Sequence, residues 1–198
     1  MTRLVSSLIL RIAGAWILTG VGTLHAENVD PDSSGLHWAW SENTGWADAQ
    51  PGGPGGSGLH AENLDVSGWL WAANIGWISA HCKNTASCTD VSYGLRLKTD
   101  NEKPGWLLLV GKAWSENAGW IVSHCLESDS CDENYYGLRV EAATGLVEGY
   151  AWSENLGWLS FSCSNTSSCG KVSFGLQFDP VALVLVEDIF KDSFESSP

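Results

Sequence analysis

Basic residues are scarce in this chain: 10 Lys and Arg stand against 23 Asp and Glu, a formal net charge of −13. A surface of that sign repels phosphate backbones, which excludes nucleic acid as a partner, whereas calcium and cationic glycans remain compatible with it. The marks of catalysis are missing as well. There is no nucleophile elbow, no His-Glu-x-x-His and no glycine-rich phosphate loop. Carboxylates are plentiful, but no pair stands apart from the others, so the chain reads as a non-enzyme. The histidines form no His-x-His or other tight pair, which leaves copper without support. Beyond residue 26 no stretch has a 3.6-residue apolar period, and none is apolar over the ~20 residues a bilayer-spanning helix needs.

Residues 1–26 have the pattern of a secretory signal peptide. Arg3 and Arg11 precede an apolar run from Ile12 to Leu24, and Ala26 supplies the small residue at a cleavage point. The expected location is therefore secreted, periplasmic or cell-surface. Six cysteines follow, in pairs of equal spacing: Cys82/Cys88, Cys125/Cys131 and Cys163/Cys169. In an exported chain an even count with a repeated spacing reads as disulfides, and the repetition favours the local pairing. A zinc site is disfavoured by the loose C-x5-C spacing and by an oxidising compartment.

What the chain has in abundance is tryptophan, 12 residues in all, and a period that carries it. AWSENTGW (39–46), AWSENAGW (113–120) and AWSENLGW (151–158) are copies of one octapeptide, and WAANIGW (71–77) is a worn version. The first motif tryptophans, Trp40, Trp71, Trp114 and Trp152, are spaced by 31, 43 and 38 residues, and Trp46, Trp77, Trp120 and Trp158 each follow six residues later. An aromatic-Gly-Leu triplet recurs at Tyr93, Tyr136 and Phe174, with Ser57-Gly58-Leu59 in the first copy. There PGGPGG (51–56) replaces the cystine loop, and a Pro/Gly reversal and a cystine reversal read as two solutions of one problem.

Within each copy the local signals are β: a short alternating strand, the S-E-N-x-G turn, a strand such as WISAHC (77–82), and a third such as YGLRLKT (93–99). In the turn, Asn tolerates a left-handed backbone and Gly adopts one freely. The fold class expected is all-β, with four tandem repeats of about three short strands each. A unit that small buries too little alone, so the copies must stack as a propeller-like ring, a sandwich or a solenoid. The expected organisation is 1–26 signal peptide, 27–35 N-terminal lead, 36–180 repeat domain (36–67, 68–110, 111–147, 148–180) and 181–198 tail. Within that tail VALVLV (181–186) is expected to form a closing strand over an open edge.

The repeated residues carry two kinds of expectation. With few Leu, Ile and Phe available, the paired motif tryptophans are expected to be buried, packing across the hairpin or against the next copy. Trp38, Trp69 and Trp106, which are not repeated in every copy, are the candidates for an exposed ligand platform. Glu42, Glu116 and Glu154 are candidates for calcium ligation, although one carboxylate per turn falls short of a cage. His81 and His124 precede the first cysteine of their copies, where the fourth copy has Ser162.

The segments GYAWSENLGWLSFSCSNTSSC (149–169) and AWSENAGWIVSHC (113–125) resemble the G-[YW]-AWSEN-x-GW-I-S-F repeats of exported bacterial proteins whose role is uncharacterised. The resemblance covers most of residues 36–179. It implies a secreted or envelope protein of tandem β repeats and supplies no activity or site. Copy one departs by lacking the cysteines and copy two by lacking Ser-Glu. EDIFKDSFE (187–195) is similar to acidic IF-x-DGFE endings of secreted proteobacterial proteins, with Ser193 in place of glycine. The functional expectation is a non-enzymatic structural or adhesive surface module, with glycan or cell-wall binding through exposed tryptophan, or calcium binding, as alternatives. Exposure of the motif tryptophans separates the first two.

Overall fold

The structure, a computed structural model, describes residues 28–53 and 56–183. Residues 1–27, which include the expected signal peptide (1–26), together with 54–55 and 184–198, lie outside the described residues. The fold is all-β, as expected, with 3-10 turns as its helical elements among the described residues.

Each octapeptide folds as a β-hairpin. The first is β1 (Trp38–Ser41) with β2 (Gly45–Asp48). After β3 (His60–Glu62) and β4 (Asp65–Ser67) come β5 (Trp69–Ala72) and β6 (Gly76–Ser79). Following β7 (Leu95–Thr99), the long β8 (Trp106–Ser115) turns into β9 (Gly119–Val122). After β10 (Leu138–Glu141), β11 (Val147–Ser153) turns into β12 (Gly157–Ser160). All four hairpins share one register, pairing Trp40 with Trp46, Trp71 with Trp77, Trp114 with Trp120, and Trp152 with Trp158.

The hairpins join edge to edge. β2 pairs with β5, β6 with β8, β9 with β11, and β12 returns to β1 through Ser160 opposite Trp40. The result is a closed eight-stranded antiparallel barrel. The closure is therefore a barrel, rather than the propeller-like ring, sandwich or solenoid expected. The reason lies in the outer edges of each hairpin: they pair with the neighbouring hairpin by backbone hydrogen bonds, which leaves no edge free.

The first halves of β8 and β11 continue past the barrel into a second sheet of order β3-β4-β7-β8-β10-β11. Isolated bridges from Leu146 to Gln177 and from Val29 to Phe178 extend it. At the passage between sheets stand Gly111 and Gly149, with φ of +108° and +95°. A Cβ on either would collide with the carbonyl oxygen of Gly94 or Gly137, so only glycine lets the two sheets approach there.

Alternation decides what fills the barrel. Ala39, Ala47, Leu70, Ala72, Ile78, Ala113, Ile121, Ala151 and Leu159 point inward and are buried. An eight-stranded barrel holds only closely packed side chains, and small residues at most inward places suit strands this short. The second sheet adds Leu59, Val66, Leu97, Leu109, Leu138, Val140, Leu176 and Phe178, all in the same apolar cluster. Residues 180–183 form a 3-10 turn with Leu183 buried. The described part of VALVLV is thus a turn, not the closing strand expected: edge closure is already achieved by strand pairing.

Candidate functional site

The tryptophans lie outside the barrel. Because Ala and Ser of A-W-S take the inward positions, Trp must face outward one residue away. Trp46, Trp71 and Trp120 are 39% exposed and Trp77 and Trp158 are 46% exposed, while Trp40, Trp114 and Trp152 are half-buried. This corrects the expectation of buried motif tryptophans. They pack against each other on the outer surface, with ring centroids 4.6 to 4.8 Å apart within each hairpin.

The aromatic of each triplet extends the pattern to the next unit. Tyr93 sits edge-on to Trp120 at 5.4 Å, Tyr136 to Trp158 at 5.2 Å, and Phe174 to Trp46 at 5.2 Å. Such edge-to-face contacts orient the indoles. Ser57 occupies the corresponding place in the first unit, and Trp77 instead packs on Trp69 and Trp71.

The hairpin tips close the mouth of the barrel. Thr44, Ile75, Ala118 and Leu156, the variable residue of each turn, are buried there. Gly45, Gly76, Gly119 and Gly157 carry φ between +71° and +77°. The asparagines do not take the left-handed backbone expected of them. Instead each Asn Nδ2 donates to a carbonyl of the neighbouring tip: Asn43 to Leu156 at 2.9 Å, Asn74 to Thr44 at 3.0 Å, Asn117 to Ile75 at 3.0 Å, Asn155 to Ala118 at 3.1 Å. These bonds run once around the barrel as a closed ring. Ser41 and Ser153 hydroxyls donate to the same Leu156 and Ala118 carbonyls. Asn-x-Gly-Trp is therefore the architectural core of the motif.

The glutamates have no part in that ring. Glu42, Glu116 and Glu154 are exposed on three different tips, and among the described residues they make no hydrogen bond or ion pair. Among the described residues the groups close enough to hold a metal are His81 with Cys82 and Cys88, and His124 with Cys125 and Cys131. In both, the sulfurs are joined in a disulfide and offer no thiolate. The three glutamates belong to no such group, so the structure does not bring them together as calcium ligands.

The disulfides pair locally: Cys82–Cys88, Cys125–Cys131 and Cys163–Cys169. Each opens a 3-10 turn whose preceding side chain caps it. His81 Nδ1 accepts from the Lys83 amide, His124 Nδ1 from the Leu126 amide, and Ser162 Oγ from the Ser164 amide. That shared acceptor role explains why serine replaces histidine in the last unit. Burial holds His124 below its ordinary 6.5, with the Arg139 charge acting in the same direction. His81 is lowered too, by burial first and then by Lys83.

Among the described residues, three of the junctions between adjacent hairpins carry grooves of like composition. One, of about 820 Å³ at the β6–β8 junction, holds Trp77, Trp114, Glu116 and Ser87. A second, of about 860 Å³ at β9–β11, holds Trp120, Trp152, Glu154 and Ser130. A third, of about 680 Å³ at β12–β1, holds Trp158, Trp40, Glu42 and Thr166. The platform candidates fall differently. Trp69 joins the first groove, Trp38 packs 6.2 Å from Trp46, and Trp106 lies in the second sheet under Lys103 Nζ, 3.2 Å from its ring centre. The groove tryptophans are not evident from the repeat, because their motif positions suggest a core. The signal that finds them is the strict alternation of Trp with Ala, Ser and Gly.

No protein-family model, curated protein or solved structure matches the chain. Three disulfides fit an oxidising, extracellular setting. No helix among the described residues is long and apolar enough to cross a membrane.

Proposed function

We propose that this chain is an exported, non-enzymatic β-barrel module that binds glycans at a bacterial surface, one of the AWSEN-repeat proteins its sequence resembles. The observation that carries the reading is the outward placement of the motif tryptophans in grooves open to solvent. An indole face stacks on the apolar face of a pyranose, and nearby hydroxyls, amides and carboxylates satisfy the sugar's polar edges. Each groove has those parts: paired indoles, an Asn, a Glu, and a Ser or Thr.

Repetition matters to the mechanism. Single grooves of this kind bind weakly, but several on one rigid barrel engage a polymer together and raise its apparent affinity without new contacts. Adhesion then follows from sugar binding, and the structural role first expected becomes the barrel's task of holding the grooves at fixed spacing. The test is binding of the oxidised chain to a panel of immobilised surface polysaccharides, repeated with Trp114→Ala and Trp158→Ala. Saturable binding weakened by each substitution, with near-ultraviolet circular dichroism otherwise unchanged, supports the proposal. A folded protein that binds no member of the panel refutes it.

A further inference from the structure

Two departures from the repeat stand in different copies of the sequence. The first unit has a Pro/Gly run where the others have a cystine loop, and the second has Ala73 where the others have glutamate. In the fold these departures meet. Each groove takes its loop from the upstream unit and its glutamate from the downstream hairpin. The upstream loop at the β2–β5 junction belongs to unit one and the downstream tip to unit two, so that junction loses both parts together.

Among the described residues no hydrogen bond or ion pair links the two parts. The glutamates are exposed and unbonded among the described residues. The hydroxyls of the cystine loops bond mainly to each other or to their own loop, Thr85 to Ser87, Ser128 to Ser130, and Thr166 to Ser168, each at 2.8 Å. The hairpin with Ala73 keeps the same register and the same Asn74 bond, so the fold does without the carboxylate. What the loop and the glutamate share is the groove between them.

Resting on the glycan reading above, we infer that the chain carries three composite sites, not four, each selecting a sugar with a free ammonium group through Glu42, Glu116 or Glu154. A hexosamine in a partly de-N-acetylated glycan fits this chemistry. Its ring stacks on indole, and its ammonium meets both a carboxylate and the negative faces of the tryptophans. The charge balance agrees: among the described residues the β6–β8 and β12–β1 grooves are lined by no Lys or Arg, within a chain of net charge −13. Lys112 lines the β9–β11 groove, where Glu127 offsets its charge and leaves Glu154 uncompensated as in the other two.

The experiment is calorimetric titration of the oxidised chain with a glucosamine disaccharide and, separately, with its N-acetylated counterpart. The account predicts three sites per chain and tighter binding of the amine form by roughly fivefold, the effect of one exposed charge contact. Added salt should erase that preference. The combined substitution Glu42→Gln, Glu116→Gln and Glu154→Gln should bring the two ligands to equal affinity with the melting temperature unchanged. Ala73→Glu should add no fourth site, because the Pro/Gly run stands there in place of the cystine loop. Equal affinity of the two sugars in the native chain overturns charge selection and leaves the glycan reading standing. Choline or a polyamine binding as tightly as the amino sugar overturns the sugar as occupant. Failure of every sugar overturns both readings.

Discussion

Gly137 is fixed by a neighbour rather than by its backbone. Its φ lies outside the left-handed region, but a Cβ there would run into the ring of His124. Gly137→Ala should therefore destabilise the fold by about 2 kcal/mol, the cost of overpacking a filled core. With His124→Ser in place most of that loss should disappear, because a Cβ on Gly175, opposite Ser162, would meet nothing nearer than the flexible Leu36 side chain at 3.3 Å. A double-mutant cycle in urea measures the coupling. His124 also sets an acid limit. Its folded pKa is lowered from 6.5, so the unfolded chain takes up a proton that the folded chain refuses. Its contribution is complete above that value and declines as pH falls below it. His124→Ser, which keeps the cap, should flatten the fall in melting temperature between about pH 7 and pH 5. The acceptor role was legible in principle from His81, His124 and Ser162 standing in one position. Their partner Gly94, Gly137 or Gly175, across the next strand, was legible only as part of a triplet.

At the scale of the hairpin, strand existence and the local disulfides could be read from sequence, because alternation and equal C-x5-C spacing are local properties. The function of the asparagine could not. Asn-x-Gly resembles an isolated turn, yet glycine alone takes the left-handed backbone, and Asn reaches across to the next tip. That bond joins residues 42 positions apart, Asn117 and Ile75, which no local pattern reveals. Asn117→Ala should cost about 1 kcal/mol, the usual loss on deleting one hydrogen bond. Glu116→Gln, on the adjacent residue, should stay within about 0.5 kcal/mol of the native chain. Equilibrium unfolding of both variants separates the architectural residue of the motif from the one assigned to ligand.

At the scale of the molecule, the decisive fact is closure. Which face of a hairpin becomes core depends on how four hairpins pair with one another, and the pairing register between Ser160 and Trp40 or Ser79 and Trp114 has no marker in the repeat. A flat stack would bury Trp; a closed barrel has room inside for Ala, Leu and Ile, and turns the indoles outward. Closure also makes the units interdependent, unlike those of a solenoid. Unfolding in urea should be a single transition followed alike by fluorescence and far-ultraviolet circular dichroism, and deletion of residues 111–147 should abolish it rather than lower its midpoint. The outward tryptophans are the basis of the whole functional account, and acrylamide quenching of their emission, without and with a saturating surface glycan, tests them most directly. The account predicts red-shifted emission that acrylamide quenches readily and that bound glycan protects. Blue-shifted emission that resists quenching and ignores the glycan would contradict it, and would return the motif tryptophans to a core.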